Sequence, residues 1–279
     1  NLPGFVNNAS WTVLEQVLWL GTRTSEQALR AELGLAPLRS PYANAIAATG
    51  TPEIQAYDAA LFSGLGTRWG DRRPLVGFLN LAAAQRDGVG DRPIDGDLDI
   101  WLDAGEAPMY VGFGSMLPSN PLSLAQELRN AATESGVRLL VSGGWSGFMS
   151  EVAGDDSIRV VGHVDHDTVL PRCRAALHHG GAGSVAAGLR AALPTAVAWF
   201  GADQPIWGRA IVNAHLGTAF PIAKVTRTQL VNAFDILGRP EVRAAARHIC
   251  DRLTTPADAV SRAADIVEST AERPRRDRS

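Results

Sequence analysis

The sequence contains a glycine-rich run preceded by two histidines, HHGGAGS at residues 178–184. Apolar residues 175–177 lead directly into it, which is typical of a strand that ends in a tight turn. Glycines let the backbone approach a ligand closely, and the amides of a helix that starts after the turn favour an anion such as a diphosphate. His179 could add a hydrogen-bond donor or a positive charge. The alternative is a tight strand-to-helix turn with a buried histidine.

Two further polar pairs follow apolar runs in the same way. Asp203 and Gln204 come after residues 195–200, and a carboxylate beside an amide suits the vicinal hydroxyls of a sugar. Asp203 could instead simply cap a helix that has Pro205 in its first turn. Gly114 and Ser115 follow residues 109–113 and could offer an amide and a hydroxyl to the same phosphates.

Other groups of chemically active residues carry weaker signals. His163 and His166 follow the apolar run 158–161, but their spacing does not match a zinc set. Asp95, Asp97 and Asp99 form two overlapping D-x-D patterns of the kind seen at metal–nucleotide sites. Because these aspartates lie in a stretch rich in glycine and proline, we expect a solvated connection there.

Regular alternation of apolar strands and helices begins at residue 109. The predicted strands are residues 109–113, 138–141, 158–161, 175–178 and 195–200. Helix starts are predicted at Asn120-Pro121, after the glycine-rich run, at Asp203, at Thr226 and at Thr255. Continuous apolar strands alternating with helices indicate a parallel sheet covered on both faces, which binds ligands at the carboxyl ends of its strands.

The first third of the chain is less regular. Apolar spacing predicts a helix over residues 11–20, and Thr24 to Gln27 resembles a capping box that opens a second helix ending at Gly34. Residues 75–79 form a short strand candidate, and residues 80–107 have the composition of a linker.

Composition narrows the class of protein. The 279 residues are 46% hydrophobic and carry 26 basic against 29 acidic side chains, a net charge of −3. This is the balance of a globular protein and gives no reason to expect a nucleic-acid partner. No apolar run reaches the length of a membrane span. Two cysteines, Cys173 and Cys250, make no disulfide framework, so we expect a reducing cytoplasm.

Several motifs occur together in the order found in one known family. They are VGFGSM at 111–116, GHVDH at 162–166, LPRC at 170–173, HHGGAGS at 178–184, AAGLR at 186–190 and DQPIW at 203–207. In these motifs the chain resembles the donor half of the GT-B nucleotide-sugar glycosyltransferases, which include sterol glucosyltransferases and bacterial antibiotic and glycolipid enzymes. EIQAYD at 53–58, with residues 69–70 and 73–77, resembles the actinobacterial glycopeptidolipid glycosyltransferases.

The resemblance implies an α/β fold of the GT-B type with one complete Rossmann-like donor domain and the end of a second, acceptor domain. Residues 1–75 would be the remnant of the acceptor domain, 76–107 the interdomain linker, 108–255 the donor domain, and 256–279 a C-terminal helix and tail. We expect residues 1–75 to expose apolar surface that the rest of an acceptor domain would cover.

The implied reaction is transfer of a hexose or deoxyhexose from a UDP- or dTDP-linked donor to an acceptor hydroxyl, with inversion and without a metal or resident cofactor. The acceptor would be a lipid, peptidolipid or other hydrophobic metabolite, with peripheral membrane association left open. The resemblance assigns the nucleotide base to His163, Val164 and His166, and the sugar hydroxyls to Asp203 and Gln204. The resemblance assigns the diphosphate to a larger set of residues: Gly114, Ser115, His179, Gly181, Ala182, Gly183 and Ser184. Trp145 is either a wall of the donor pocket or a packed aromatic.

The sequence departs from the family pattern at three positions. His163 and Asp165 replace the Asn and Pro of many relatives, and Ala187 stands where plant relatives carry a ribose-binding Glu. The choice between uridine and thymidine nucleotides therefore stays open.

The catalytic base is not assigned, because family members carry it near the start of the acceptor domain and residues 1–75 contain no matching turn. The main alternative is a truncated or degenerate nucleotide-sugar-binding module without transferase activity of its own. A nucleotide-sugar epimerase of related architecture is less favoured, because it would place carboxylates and a histidine around the sugar instead of Asp203 and Gln204.

Overall fold

A parallel sheet forms the centre of the molecule. The computed structural model describes residues 4–86, 94, 96–143 and 156–272. Within them the strands are β1 (Met109–Gly112), β2 (Leu139–Ser142), β3 (Ile158–Val161), β4 (Ala175–His178), β5 (Thr195–Trp199) and β6 (Gly217–Pro221). All neighbouring pairs are parallel, and their spatial order is β3-β2-β1-β4-β5-β6. The five predicted strands are confirmed; β6 is an additional edge strand in which only Phe220 is buried.

Helices cover both faces of the sheet and precede it in the chain. They are α1 (Gly4–Glu32), α2 (Tyr42–Thr49), α3 (Leu65–Trp69), α4 (Ala83–Arg86), α5 (Gly96–Asp103), α6 (Pro121–Ser135), α7 (His166–Val169), α8 (Ala182–Arg190), α9 (Gln204–Asn213), α10 (Arg227–Gly238), α11 (Pro240–Cys250) and α12 (Pro256–Ala271). Three predicted starts are confirmed by side-chain caps from Asn120, Thr226 and Thr255.

The alternation of side chains along β1 divides the core between the two faces. Met109 and Val111 pack with α6 and α10 through Leu128 and Phe234, while Tyr110 points to the opposite face. On that opposite face, α8 and α9 pack against β4 and β5. Burial on both faces explains why these strands are continuous apolar runs in the sequence.

Three expectations for the first third of the chain are wrong. Helix α1 continues through residues 24–27 to Glu32, and Gly34, just beyond it, has a φ of +66°. Residues 75–79 form no strand, and Leu75 makes only an isolated parallel bridge with Gln55. The predicted linker contains helices α4 and α5; α5 forms because Leu98 and Leu102, four residues apart, are both buried.

Residues 53–78 pack directly against the sheet domain. The rings of Tyr57 and Phe62 meet Trp207 of α9 edge to face, with centroids 5.7 and 5.3 Å apart. Asp58 is 3% exposed, and its carboxylate accepts hydrogen bonds from the amides of Ala60 (2.8 Å) and Thr254 (2.7 Å). The loop that leads into α12 is thereby fastened to the N-terminal segment.

Large apolar side chains are exposed on several helices, and α1 carries the largest group. On α1 they are Trp11, Val13, Leu14, Val17, Leu18, Leu20 and Leu29. On α12, Val260 and Val267 are exposed beside Leu79 and line a shallow apolar groove. The N-terminal residues thus present the open apolar surface that we expect for them. Among the helices that the structure describes, none is long and apolar enough to cross a membrane.

Candidate functional site

The candidate site lies where the strand order of the sheet reverses, between β1 and β4. Gly112 and His178, the last residues of these strands, are register partners. The loops that follow them therefore leave the sheet side by side. In open α/β sheets this crevice at the carboxyl ends is the usual place for a ligand.

His179 lies between the two loops, and two glycines make room for its ring. A Cβ atom added at Gly114 would be 3.4 Å from the ring Cε1, and one added at Gly181 would be 2.5 Å from Nε2. Gly114 also has a φ of +58°, a conformation that glycine adopts without strain. One glycine of each motif, Gly114 and Gly181, thus lies against the same imidazole.

The surroundings of His179 favour the uncharged form of its ring. Burial lowers the pKa of its imidazole, and the Gly112 backbone and the Asp203 carboxylate oppose this shift without reversing it. Of the two roles that the sequence leaves open, the structure favours the hydrogen-bond donor over the fixed positive charge.

Helix α8 begins at the same edge of the sheet. Gly181 is its N-cap residue, and no side chain of the described residues caps it. Ala182, Gly183 and Ser184 form its first turn, with Ala182 and Gly183 exposed. The first amides of a helix carry partial positive charge and attract anions. This end of α8 is therefore suited to a phosphate group.

Asp203 and Gln204 follow β5 at the same edge, but both side chains have partners within the protein. Asp203 is exposed and is the N-cap residue of α9, but its side chain makes no capping bond; its carboxylate accepts a hydrogen bond of 2.9 Å from the indole of Trp207, one turn along. The buried Gln204 accepts the Phe200 amide at 2.7 Å. Gln204 thus shapes the loop after β5, and Asp203 is the member of the pair that solvent reaches.

The third loop at this edge, residues 162–166, is held by hydrogen bonds and an ion pair to neighbouring residues. The Tyr110 hydroxyl and His166 Nε2 form a hydrogen bond of 2.8 Å, and Val164 is buried. Asp165 caps α7 by accepting the Asp167 amide and lies 3.3 Å from the guanidinium of Arg86. These bonds explain how aspartate is accommodated where relatives have proline. His163 is exposed, and Trp145 lies outside the described residues.

Next to this loop, the carboxylate of Asp167 connects helices α4, α7 and α8. Asp167 of α7 binds Arg86 of α4 and Arg190 of α8, each at 2.9 Å, and accepts a hydrogen bond from Asn80. Burial alone would raise the pKa of the Asp167 carboxyl, but Arg190, Asn80 and Arg86 together lower it.

Because the pKa of Asp167 is lowered by folding, its contribution to stability should depend on pH. The contribution is complete above the unfolded value of about 3.9 and disappears as the pH falls through the lower folded value. We expect Asp167→Asn to lower the melting temperature at neutral pH and to lower it progressively less as the pH falls below about 3.9. Thermal unfolding of both proteins across this range checks the prediction, and an equal difference at every pH would contradict it.

The acidic pattern at residues 95–99 has a structural role where it is described. Asp97 and Asp99 lie in the first turn of α5, not in a solvated linker, and Asp99 pairs with Arg172 at 2.8 Å. Asp95 lies outside the described residues. Within the part of the chain that the structure describes, no group of three His, Cys, Asp or Glu side chains could hold a metal.

The structure adds two residues that sequence reasoning does not single out. Tyr110 is the one polar residue in an apolar strand, and this is the signal that could have revealed its contact with His166. His178 is recognised in the sequence only as a buried histidine. Its bond to the following turn depends on a ring orientation that spacing does not indicate.

The fold is that of a doubly wound, Rossmann-like domain, and the edge that carries the candidate site is suited to an anion. Residues 149–268 match the family described as erythromycin biosynthesis protein CIII-like, C-terminal domain. The chain is 38% identical over 262 residues to an uncharacterized protein of Mycobacterium bovis and 36% identical over 274 residues to an uncharacterized glycosyltransferase of Mycobacterium tuberculosis. It is 29% identical over 239 residues to a sterol 3-beta-glucosyltransferase of Arabidopsis thaliana.

These matches cover 94%, 98% and 85% of the chain, and 59%, 64% and 37% of the relatives. The chain therefore spans less than two thirds of the length of the curated relatives it matches.

Solved structures agree on the fold. The glycotransferase of kitacinnamycin matches with a TM-score of 0.69 at 20% identity, over 96% of this chain and 67% of its own. LpCGTa in complex with UDP matches with a TM-score of 0.58 at 21% identity, over 80% and 56%. The glycosyltransferase VinC in complex with dTDP matches with a TM-score of 0.50 at 20% identity, over 61% and 44%. In sequence the chain is similar to family 1-like glycosyltransferases, and its fold is that of the solved GT-B structures, as the sequence predicts.

Proposed function

We propose that this chain forms the donor side of a glycosyltransferase that moves a hexose or deoxyhexose from a UDP- or dTDP-linked donor to an acceptor hydroxyl. The observation that carries the proposal is the His179 ring, held between Gly114 and Gly181 beside the uncapped start of α8. The acceptor class is a lipid, peptidolipid or other hydrophobic metabolite, by analogy with the sterol glucosyltransferase relative. The free cysteines Cys173 and Cys250 are in keeping with a reducing cytoplasm.

The chemistry of this edge fits departure of a diphosphate. Negative charge grows on the diphosphate as the bond to the sugar breaks, and fixed donors at that position lower the barrier. The first-turn amides of α8 with Ser184, the loop residues Gly114 and Ser115, and neutral His179 are such donors. This arrangement needs no metal ion to balance the developing charge.

Asp203 and the loop at 162–166 would hold the two ends of the donor. Asp203 is exposed at the same edge and acts electrostatically on His179, so its carboxylate can accept hydrogen bonds from sugar hydroxyls. Gln204 would support that position through the β5 loop. The backbone of Val164, flanked by His163 and His166, would meet the nucleotide base. Attack of the acceptor from the opposite side of the sugar gives inversion, and the base for this step is not assigned.

Calorimetric titration with UDP, dTDP and the corresponding nucleosides tests the proposal. We expect either diphosphate to bind more tightly than its nucleoside. His179→Ala and Ser184→Pro should each weaken diphosphate binding, since the first removes a donor and the second a helix amide. His248→Ala, at an exposed position on α11, is the matched histidine control. Equal affinity of the wild type and both site variants would refute the assignment.

The alternative is a donor-binding module without activity of its own. It shares the binding site and differs only in turnover. A transfer assay with nucleotide sugar and a lipid acceptor is run beside the titration. Product formation would rule out the module, whereas binding without product is expected of both, because no residue of this chain is assigned as the base.

A further inference from the structure

His178, the last residue of β4, is fully buried and closes the turn that carries His179. It pairs in register with Gly112 of β1 and Val197 of β5. Its Nδ1 accepts a hydrogen bond of 3.0 Å from the amide of Gly180, two residues further on. Since Nδ1 accepts, the ring proton of the neutral imidazole is on Nε2. The bond therefore defines both the tautomer of His178 and the direction of the chain after β4.

The turn has little freedom around this bond. Gly180 has a φ of +87°, and a Cβ atom added there would lie 2.5 Å from Cγ1 of Val197 and 3.4 Å from the carbonyl oxygen of Gln204. The backbone of Gly180 is thus pressed into the gap between β5 and the start of α9. With strand β4 fixed on one side and this gap on the other, the bond to His178 determines where the residues on either side of Gly180 project.

Burial keeps His178 available as an acceptor. It lowers the pKa of the imidazole to about 3, with smaller contributions from His179 and His166, so the ring is uncharged wherever the protein functions near neutral pH. Among the described residues, Nε2 has no hydrogen-bond partner. It faces Gly188 of α8, where an added Cβ would lie 4.0 Å from this nitrogen. The ring therefore lies close to α8 as well as to the turn that precedes it.

We propose that His178 is a positioning residue for diphosphate binding: through the Gly180 amide it sets the direction of the His179 ring and of the first amides of α8. The inference rests on the proposed function, because it concerns the same anion site. His178 itself does not touch the ligand, since it is enclosed between β1, β5 and α8.

Two substitutions separate this role from simple packing. His178→Leu fills the space but removes the acceptor, whereas His178→Asn places Oδ1 near the position of Nδ1 and keeps it. In the Leu variant we expect about tenfold weaker binding of UDP with unchanged binding of uridine. The Asn variant should bind UDP within about threefold of the wild type. Melting temperatures of all three proteins are measured alongside, because loss of packing would lower stability without changing the ratio of UDP to uridine affinity.

An unchanged ratio in His178→Leu, or an equal loss of UDP affinity in His178→Asn, would overturn the inference. If the Leu variant does not fold, amide hydrogen exchange decides: Gly180 should be protected to the same degree in the wild type and in His178→Asn, and rapid exchange in the wild type would overturn the proposal. Failure of the wild type to bind UDP or dTDP refutes the proposed function instead, and that outcome is visible before any variant is made.

Discussion

Replacement of Gly181 by alanine is expected to weaken nucleoside diphosphate binding by about tenfold or more. The added methyl would lie 2.5 Å from Nε2 of His179, so the ring must leave the place between the two loops. Backbone strain is not the cause, because Gly181 has φ −62° and ψ 145°, which alanine adopts readily. Fold stability should therefore change by only about 1 kcal/mol, the usual effect of a less favourable N-cap residue.

Titration with UDP and dTDP, combined with thermal unfolding, checks this expectation. Gly96→Ala at the start of α5 is the control, since its methyl would meet nothing within 4 Å and Gly96 lies outside the site. Affinity loss that accompanies a large loss of stability would point to misfolding of the turn. Unchanged affinity in a stable Gly181→Ala protein would show that the position of His179 does not matter for binding.

Replacement of Asp58 by alanine should destabilise the protein by about 3 kcal/mol or more. The 3% exposed carboxylate accepts two backbone amides, those of Ala60 and Thr254, and alanine would leave both without that partner. Asp58→Asn should recover only part of the loss, because its amide group presents a donor to one of the two N–H groups.

Urea unfolding gives the free energies for these variants. Asp235→Ala is the matched control: Asp235 is also an aspartate bonded to one partner, Arg239, but its side chain is 70% exposed, so its loss should cost less than about 1 kcal/mol. A similar cost for the substitutions at 58 and 235 would show that Asp58 does not fasten the α12 loop.

The parts of the fold that sequence predicts are those in which local pattern and tertiary environment agree. Strands β1, β2, β4 and β5 are buried on both faces, so their apolar runs are continuous, and β3 at one edge buries only Ile158 but keeps an apolar run. Strand β6 is at an edge and buries only Phe220, which leaves no run to recognise. The capping signal at residues 24–27 is local, and α1 continues through it. The sequence does not predict helix α5, because its two buried leucines lie among acidic residues.

The same distinction applies to the site. The glycine-rich turn is predictable because the glycines that allow close approach of the backbone follow one another in the sequence. The contacts of Tyr110 with His166 and of Arg86 with Asp165 join residues that are far apart in sequence. They depend on strand register and on side-chain orientation, neither of which a single sequence indicates. Asp203 shows the reverse case: a capping role is locally reasonable, yet the indole of Trp207 takes the carboxylate.

The reversal of strand order between β1 and β4 has a consequence for folding kinetics. In one half of the sheet β1 pairs with β2 and β2 with β3, and in the other half β4 pairs with β5 and β5 with β6. The halves meet where β1 pairs with β4, and strands β2 and β3 lie between these two in the chain. Pairing of strands that are far apart in the chain closes a longer loop, and the chain loses more conformational entropy before the contacts form. The two halves of the sheet can thus assemble separately, and their union creates the crevice. A nucleotide that binds only to the joined state stabilises it by mass action, so occupancy of the crevice favours completion of the sheet.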